Sequence, residues 1–427
     1  MSSDTKSIFL SKKNIFFMSI TGLFSVIGAN NTNLLIVAVV TIIAGMVFSS
    51  YEHRFCWSLF LVPNIRLFDG LGFTYMVNIL FIIPLFIYIL DPKKRKSGIV
   101  LVYAFTLFTV EVFHKVFYSN SMIELYGWVL AFIWCVYATL DNTMDINKDD
   151  ATYALMSGVI FSGTVFLINH PDMTSDLIQK VVAGHRFEAY ASDPNAYATY
   201  LCLALSALII KKKFKSIDLV FMIVLFAFGM LTTSKMCMIL LAVSMTYFIL
   251  KMLSNYNNYI KSFVILALIF ILGYYFKDTL VQLLENVIDR AGGTGDVSLD
   301  SLTSNRYKIQ MNYLNILFND PMTLIFGKGF SYHKHLPAIT SQQAHNTYLD
   351  IILSWGIVGT VVFLLTLYAW VKKYKQKIHD VNFSFSSKLP VFILMLSFFS
   401  LSFFSAGMFF FVVSFCLIQL EPKIYEE

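Results

Sequence analysis

Charge is the first thing this sequence lacks. Only 14% of its 427 residues are Asp, Glu, Lys or Arg, against about 25% in soluble globular domains. That deficit excludes an ordinary soluble enzyme. Nine Pro and 20 Gly are too few for a collagen-like or disordered chain. The five cysteines, Cys56, Cys135, Cys202, Cys237 and Cys416, all fall inside apolar stretches with no CxxC spacing. They read as small buried hydrophobes, and no disulfide framework follows.

What is present is apolar. Hydrophobic residues make up 57% of the chain, with 42 Phe and 23 Tyr, and the mean hydropathy is +0.68. This composition predicts an all-α polytopic membrane protein. A helix needs about 20 apolar residues to cross roughly 30 Å of hydrocarbon. On that basis the candidate spans are 14–29, 33–50, a short one at 55–68, 71–90, 98–118, 122–140, 151–168, 194–210, 216–232, 235–253, 262–276, 346–370 and 389–420. The first run is expected to be a retained helix and not a removed signal peptide. The last is long enough for two helices, with a tight turn at Ser405-Ala406-Gly407. The expected fold is a bundle of about 12 to 14 transmembrane helices, a single integral membrane domain over 1–427 with no internal repeat.

The formal net charge of +6 comes largely from short Lys clusters between apolar runs. Such clusters orient helices in a membrane and do not call for nucleic acid. With the N-terminus inside, the clusters at 93–96, 211–213 and 372–377 lie on the cytoplasmic side. The acidic stretch 141–150 then reads as a solvated cytoplasmic turn. Two polar segments become extracytoplasmic: a smaller loop, 169–193, and a large one, 277–345.

The large loop opens with an amphipathic stretch, Thr279 to Ile288, and a glycine-rich link, Ala291 to Gly295. Ser304 or Asn305 is placed to cap a helix running to Phe318, which puts Arg306 in its first turn. An Arg beside the backbone amides of a helix N-terminus makes an anion site, although a surface ion pair would also explain it. His333 and His335 have a metal-like HxH spacing, but no carboxylate or Cys stands nearby at ligand spacing, so no metal is expected. His345 lies where the polar loop re-enters the membrane. That setting suits a general base, or equally a helix-capping His. In the smaller loop, Asp193-Pro194-Asn195 forms a helix start on its own merits, and Arg186 has no such explanation. Lys235, in Thr232-Thr233-Ser234-Lys235, is either a third basic group of a site or an interfacial anchor. Glu111 and His114 share one helical face, as an ion pair closing two helices or as a proton relay.

The order of these motifs resembles the Wzy-type O-antigen and capsule polysaccharide polymerases and their O-antigen ligase relatives. The resemblance rests on Arg186, Asp193-Pro194-Asn195, Thr233-Ser234-Lys235, Arg306, Gly327-Lys328-Gly329, His345-Asn346-Thr347-Tyr348-Leu349 and Gly356-Ile357-Val358-Gly359, across roughly residues 180 to 370. The family's hairpin turn more often carries Ser-Arg where this chain has Ser234-Lys235, and Lys lacks the guanidinium fork for a bidentate phosphate contact.

The resemblance implies a lipid-dependent glycosyltransferase of the multi-helix, GT-C-like type. It would act in the bacterial plasma (inner) membrane with its active site facing the periplasm. The donor would be a glycan on undecaprenyl pyrophosphate, and the acceptor another lipid-linked repeat unit for a polymerase or the lipid A core for a ligase. The polymerase reading is preferred. A lipid-linked glycan flippase fits less well, because one outer loop is long and holds most of the polar motif residues. Arg186 and Arg306 suit stabilisation of the leaving pyrophosphate, and His345 suits the base for the attacking hydroxyl. Lys235, Asn346, Asp193, Asn195 and Tyr348 are the candidate substrate-binding residues. The transfer is expected to need no cofactor or metal and to invert the anomeric centre. The partners expected are lipid-linked repeat units, membrane lipids and a chain-length regulator, with no nucleic acid.

Overall fold

The structure is a computed structural model that describes residues 9–71, 76–91, 98–118, 122–141, 144–171, 186–191, 193–211, 215–253, 281, 306–336, 343–378, 388–402 and 408–420. The span at 262–276, the amphipathic stretch and glycine-rich link after it, Ser304, Asn305, the Lys cluster at 93–96 and the turn at 405–407 lie outside the described residues. So does most of the smaller outer loop.

All regular structure among the described residues is helical. In chain order the helices are α1 (Lys12–Ile27), α2 (Thr32–Val47), α3 (Tyr51–Leu61), α4 (Met76–Leu90), α5 (Gly98–Tyr118), α6 (Met122–Leu140), α7 (Lys148–Asn169), α8 (Pro194–Ile210), α9 (Ser216–Leu231), α10 (Lys235–Leu253), α11 (Arg306–Asn319), α12 (Pro321–Phe326), α13 (Thr347–Lys377), α14 (Leu389–Ser397) and α15 (Met408–Gln419). The apolar runs set these bounds closely, and α5, α6, α8 and α10 start and stop where the sequence predicts. The run 389–420 yields two helices, α14 and α15, packed on each other.

The all-helical architecture is consistent with a membrane protein. Among the described residues two helices, α7 and α13, are long and apolar enough to cross a membrane by length and composition. Large apolar side chains also point outward, with Val116 74%, Leu90 73% and Phe105 70% exposed, an arrangement that water penalises and lipid does not. Inside, Trp57, Trp128, Trp134, Trp355 and Trp370 are fully buried in one core that draws on residues from Phe9 to Ile418. A second, smaller core gathers Ile309, Tyr313, Leu317, Tyr332, Leu336, Ala344, Leu349 and Leu353. The described part of the large loop therefore packs on the start of α13 through its own apolar cluster.

Three local features position the site. First, α3 is short because Pro63 follows it, and the freed groups are taken up by side chains. Asn64 donates to the carbonyls of Phe60 and Gly158 at 2.8 and 3.1 Å, and the Ser162 hydroxyl donates to Pro63 at 2.7 Å. Such re-satisfaction is what allows a helix to break in lipid. Ser162 also accepts from the amide of Tyr190 at 3.0 Å, and Arg66 N–H donates to the Tyr190 carbonyl at 3.0 Å. The 186–191 segment is thereby seated on the end of this helix pair.

Second, one end of the bundle is tied by a buried ion pair. Lys211 donates to both carboxylate oxygens of Asp218, at 3.0 and 2.8 Å, and Tyr153 donates to the same carboxylate at 2.7 Å. The acidic stretch is not all solvated, because buried Asp150 accepts from the amide of Phe9 at 3.0 Å.

Third, α13 is two pieces. Gly356 has φ 61 and ψ −170, which interrupts the helical ladder. The amides of Lys328 and Gly329 donate to the carbonyls of Leu353 and Ser354 at 2.9 and 2.7 Å. Gly327 and Gly356 meet backbone to backbone: a Cβ on Gly327 would fall 2.3 Å from the Ser354 carbonyl oxygen, and one on Gly356 would fall 2.3 Å from that of Ile325. From α5, the Glu111 carboxylate accepts from the amide of Phe330 at 2.9 Å and from the Trp355 indole at 2.8 Å. His114 Nε2 donates to the carbonyl of Phe326 at 2.7 Å, and its Nδ1 lies 3.4 Å from Glu111. Glu111 and His114 thus act as a clamp between α5 and the broken helix, the structural one of their two readings.

Gly356→Ala should be strongly destabilising, by about 2 kcal/mol or more, because it combines an overpacking clash with a backbone strained for any side chain. The expected outcome is a sharp fall in folded yield and a lower thermal midpoint in detergent. Wild-type values for both would show that the break tolerates a Cβ.

Candidate functional site

The expected site residues come from segments far apart in sequence, and the structure brings most of them together. α8 starts with a firm cap: Asp193 accepts from the amides of Asn195 and Ala196 at 2.7 and 3.2 Å, and Pro194 occupies the first turn. The cap fixes Asn195, which is buried. Its side-chain oxygen accepts from Arg186 Nη2 at 2.9 Å and from the Ser234 hydroxyl at 2.6 Å. One amide oxygen therefore joins the 186–191 segment, the start of α8 and the turn between α9 and α10. Ser234 in turn accepts from the amide of Cys237 at 3.3 Å, and Lys235 begins α10 directly after it.

Arg306 is the first residue of α11, as the motif predicts, and Nη1 donates to the carbonyl of Ser400 at 2.8 Å. The same 398–401 segment accepts from α13: Thr347 N–H donates to Phe398 at 2.8 Å, and its hydroxyl donates to Leu401 at 2.5 Å. Arg306 and the His345 segment are thus anchored on one short piece of chain after α14. Asn346 caps α13, accepting from the Leu349 amide at 3.2 Å.

The electrostatics point the same way. Burial holds the His345 imidazole below its ordinary value of 6.5, and the positive charges of Arg306 and Arg186 push the same way while Asp193 opposes them. Burial likewise lowers Arg306, against Asp193. Burial raises the Glu188 carboxyl, with Asp193 adding and the arginines Arg66 and Arg186 opposing. His345, Arg186, Arg306 and Asp193 therefore share one electrostatic environment, in which His345 is neutral at pH 7 and able to accept a proton.

Backbone strain marks the same places. Three non-glycine residues among those described have positive φ: Ala189 at 50, Thr233 at 45 and His345 at 50. Each costs about 1–3 kcal/mol and persists only where surrounding contacts over-determine it. One falls in the 186–191 segment with Arg186, one in the turn between α9 and α10, and one just before α13. Among the described residues, the buried Asn195 side-chain NH₂ and Thr233 hydroxyl have no hydrogen-bond partner. Native structures rarely leave such groups orphaned.

Tyr348, His333 and His335 make packing contacts of their own. Tyr348 packs its ring on Phe398 and Phe399, and its hydroxyl donates to the Met395 carbonyl at 3.0 Å. It ties α13 to α14. His335 lies against Tyr118 and His333 against Tyr332. Conversely, Glu188, Arg66 and Asp350 join the neighbourhood without having been picked out. Asp350 carried a signal, since an ionisable residue inside an apolar span calls for a partner.

With that geometry in place, comparison with known proteins gives one match. Residues 220–364 match the O-antigen ligase family. No curated protein and no solved structure matches the chain. The O-antigen ligase match contains Lys235, Arg306, the Gly327-Lys328-Gly329 turn, His345 and the Gly356 break. Arg186, Asp193 and Asn195 precede it and reach it through the Asn195–Ser234 hydrogen bond. The family is the one the motif order resembles.

Replacing Arg306 with Gln should raise the pKa of His345, because a positive charge that disfavours the imidazolium is removed. The pH dependence of diethyl pyrocarbonate modification at His345, followed by mass spectrometry, should show a midpoint below 6.5 in wild type and a higher one in the variant. An unmoved midpoint would mean the two residues are not electrostatically coupled.

Proposed function

We propose that the chain is an O-antigen (surface polysaccharide) polymerase: a multi-pass, GT-C-like glycosyltransferase with its site on the periplasmic face of the bacterial plasma membrane. It moves a growing glycan from undecaprenyl pyrophosphate to the hydroxyl of another lipid-linked repeat unit. The observation that carries this reading is the meeting of two arginines, Arg186 and Arg306, with a neutral, buried histidine, His345; Arg306 and His345 lie within the segment matching the O-antigen ligase family.

The chemistry follows from the residues. Cleavage of a sugar–pyrophosphate bond builds negative charge on the leaving oxygen. Fixed guanidinium groups in a partly dry site stabilise that charge without reorganising. The orphan donors of Asn195 and Thr233 supply further hydrogen bonds to phosphate oxygens, and Lys235 adds a point charge. Asp193 sets the turn that presents Asn195, and Asn346 sets the one that presents His345. Unprotonated His345 takes the proton from the attacking hydroxyl as the new glycosidic bond forms and the bond to pyrophosphate breaks. One base and a single displacement give inversion at the anomeric carbon, with the arginines in the charge-neutralising role a metal plays elsewhere. Tyr348 contributes by fixing α13 to α14 and not by stacking on sugar. A chain-length regulator remains the expected protein partner.

The O-antigen ligase description of the matched family favours a second reading, in which the acceptor is the lipid A core. A deletion strain complemented with wild type or His345→Ala separates the two. A band of core plus one repeat, restored to a ladder by wild type and not by His345→Ala, supports the polymerase. Accumulation of outward-facing lipid-linked polymer, with none on core, assigns the ligase instead. Arg186→Ala and Arg306→Ala should match His345→Ala at unchanged expression.

A further inference from the structure

The His345 backbone has a φ that side chains disfavour, so something must hold it there. The residue immediately before it shows what does. The amide of Ala344 donates to the Tyr332 hydroxyl oxygen at 2.8 Å, and that hydroxyl donates to the carboxylate of Asp350 through a short hydrogen bond. All three residues are buried, Tyr332 and Asp350 at 2% and 4% exposure. A hydroxyl that accepts one hydrogen bond and donates another has its rotor fixed, and it fixes both neighbours in turn. The peptide leading into His345 is pinned from outside its own helix.

The pin is itself supported on both sides. The Tyr332 ring packs edge-on against Tyr313 of α11 at 5.4 Å, inside the small core that also contains Ala344, Leu349 and Leu353. Asp350 lies in the first turns of α13, one turn past the residue it helps to hold. Tyr332 itself follows the Gly327–Gly329 turn, whose amides are docked on the broken helix and whose next residue, Phe330, is held by Glu111. The chain therefore closes a ring from α5 through the turn to Tyr332, and on through Asp350 and Ala344 to His345.

We propose that Tyr332 and Asp350 are positioning residues for His345, acting through the Ala344 amide to hold the imidazole in its reactive place. This rests on His345 being the base of the transfer. Neither side chain needs to touch substrate, and the carboxylate acts by accepting a hydrogen bond, not by its charge. A base misplaced by about 1 Å loses up to about 100-fold in rate, which sets the scale of the effect.

The test uses the purified full chain in detergent with lipid-linked repeat extracted from the deletion strain, measuring product per mole of folded protein. Tyr332→Phe keeps the ring in its core and removes only the hydroxyl. It should lower kcat about 10- to 100-fold with KM within twofold of wild type. Asp350→Asn retains an acceptor oxygen and should restore most of the activity that Asp350→Ala loses. Wild-type kcat in Tyr332→Phe, alongside an inactive His345→Ala, would overturn the positioning role while leaving the base intact. An Asp350→Asn protein as poor as Asp350→Ala would overturn the hydrogen-bond mechanism. Full activity in His345→Ala would instead remove the reading on which the inference rests.

Discussion

The break at Gly356 is the constraint on which the working end of this molecule depends. An unbroken helix from Thr347 to Lys377 would keep its carbonyls for itself and offer no purchase to the 327–329 turn. With Gly356 at positive φ, the carbonyls of Leu353 and Ser354 accept from Lys328 and Gly329 instead. Backbone meets backbone at distances that exclude a Cβ on either glycine. The two glycine motifs are thus two halves of one joint. Glu111 and His114 lock it from α5 by meeting the Phe330 amide, the Trp355 indole and the Phe326 carbonyl. A buried carboxylate among apolar rings is expensive unless its oxygens are occupied, and here both are.

From this joint the site is built outward by short polar links, each of which spans a long sequence separation. Asn195 reaches Ser234, Arg306 reaches the Ser400 carbonyl, and Thr347 reaches Phe398 and Leu401. None of these links adds much energy alone, since a net hydrogen bond contributes about 1 kcal/mol. Their value is geometric. In lipid, apolar surfaces gain little by packing on one another relative to packing on acyl chains, so hydrogen bonds and close glycine contacts decide which helices meet.

That distinction explains what could be read from the sequence. Helix positions were legible because length and apolarity are local properties; α5, α6, α8 and α10 agree end to end. The prediction for α13 stopped at Trp370, where lysines begin, yet the helix runs on to Lys377. That side chain bends back to donate to the carbonyls of Thr139, Asp141 and Met144, and such snorkelling lets a charged residue extend an apolar helix. Arg186 stands out in the sequence as a polar residue without a local task, whereas Arg306 and His345 each carry a local reading beside the functional one. The packing of Tyr348 was not legible, because nothing in its neighbours along the chain foretells Phe398 and Phe399 against its ring. Asp350 was passed over as the body of a span, and its partner Tyr332 stands 18 positions away.

The electrostatics give the site an order of events under the proposed reading. Burial holds His345 below its ordinary pKa, and Arg306 and Arg186 push the same way. A pyrophosphate seated between the arginines would cancel their positive charge at His345. By the same Coulombic reasoning, the imidazole would then bind a proton more tightly, becoming a stronger base at the moment an acceptor hydroxyl needs one. Under that reading, a single arrangement of two arginines and one buried histidine would couple the strength of the base to occupancy of the anion site, leaving water to meet a weaker base when no donor is bound.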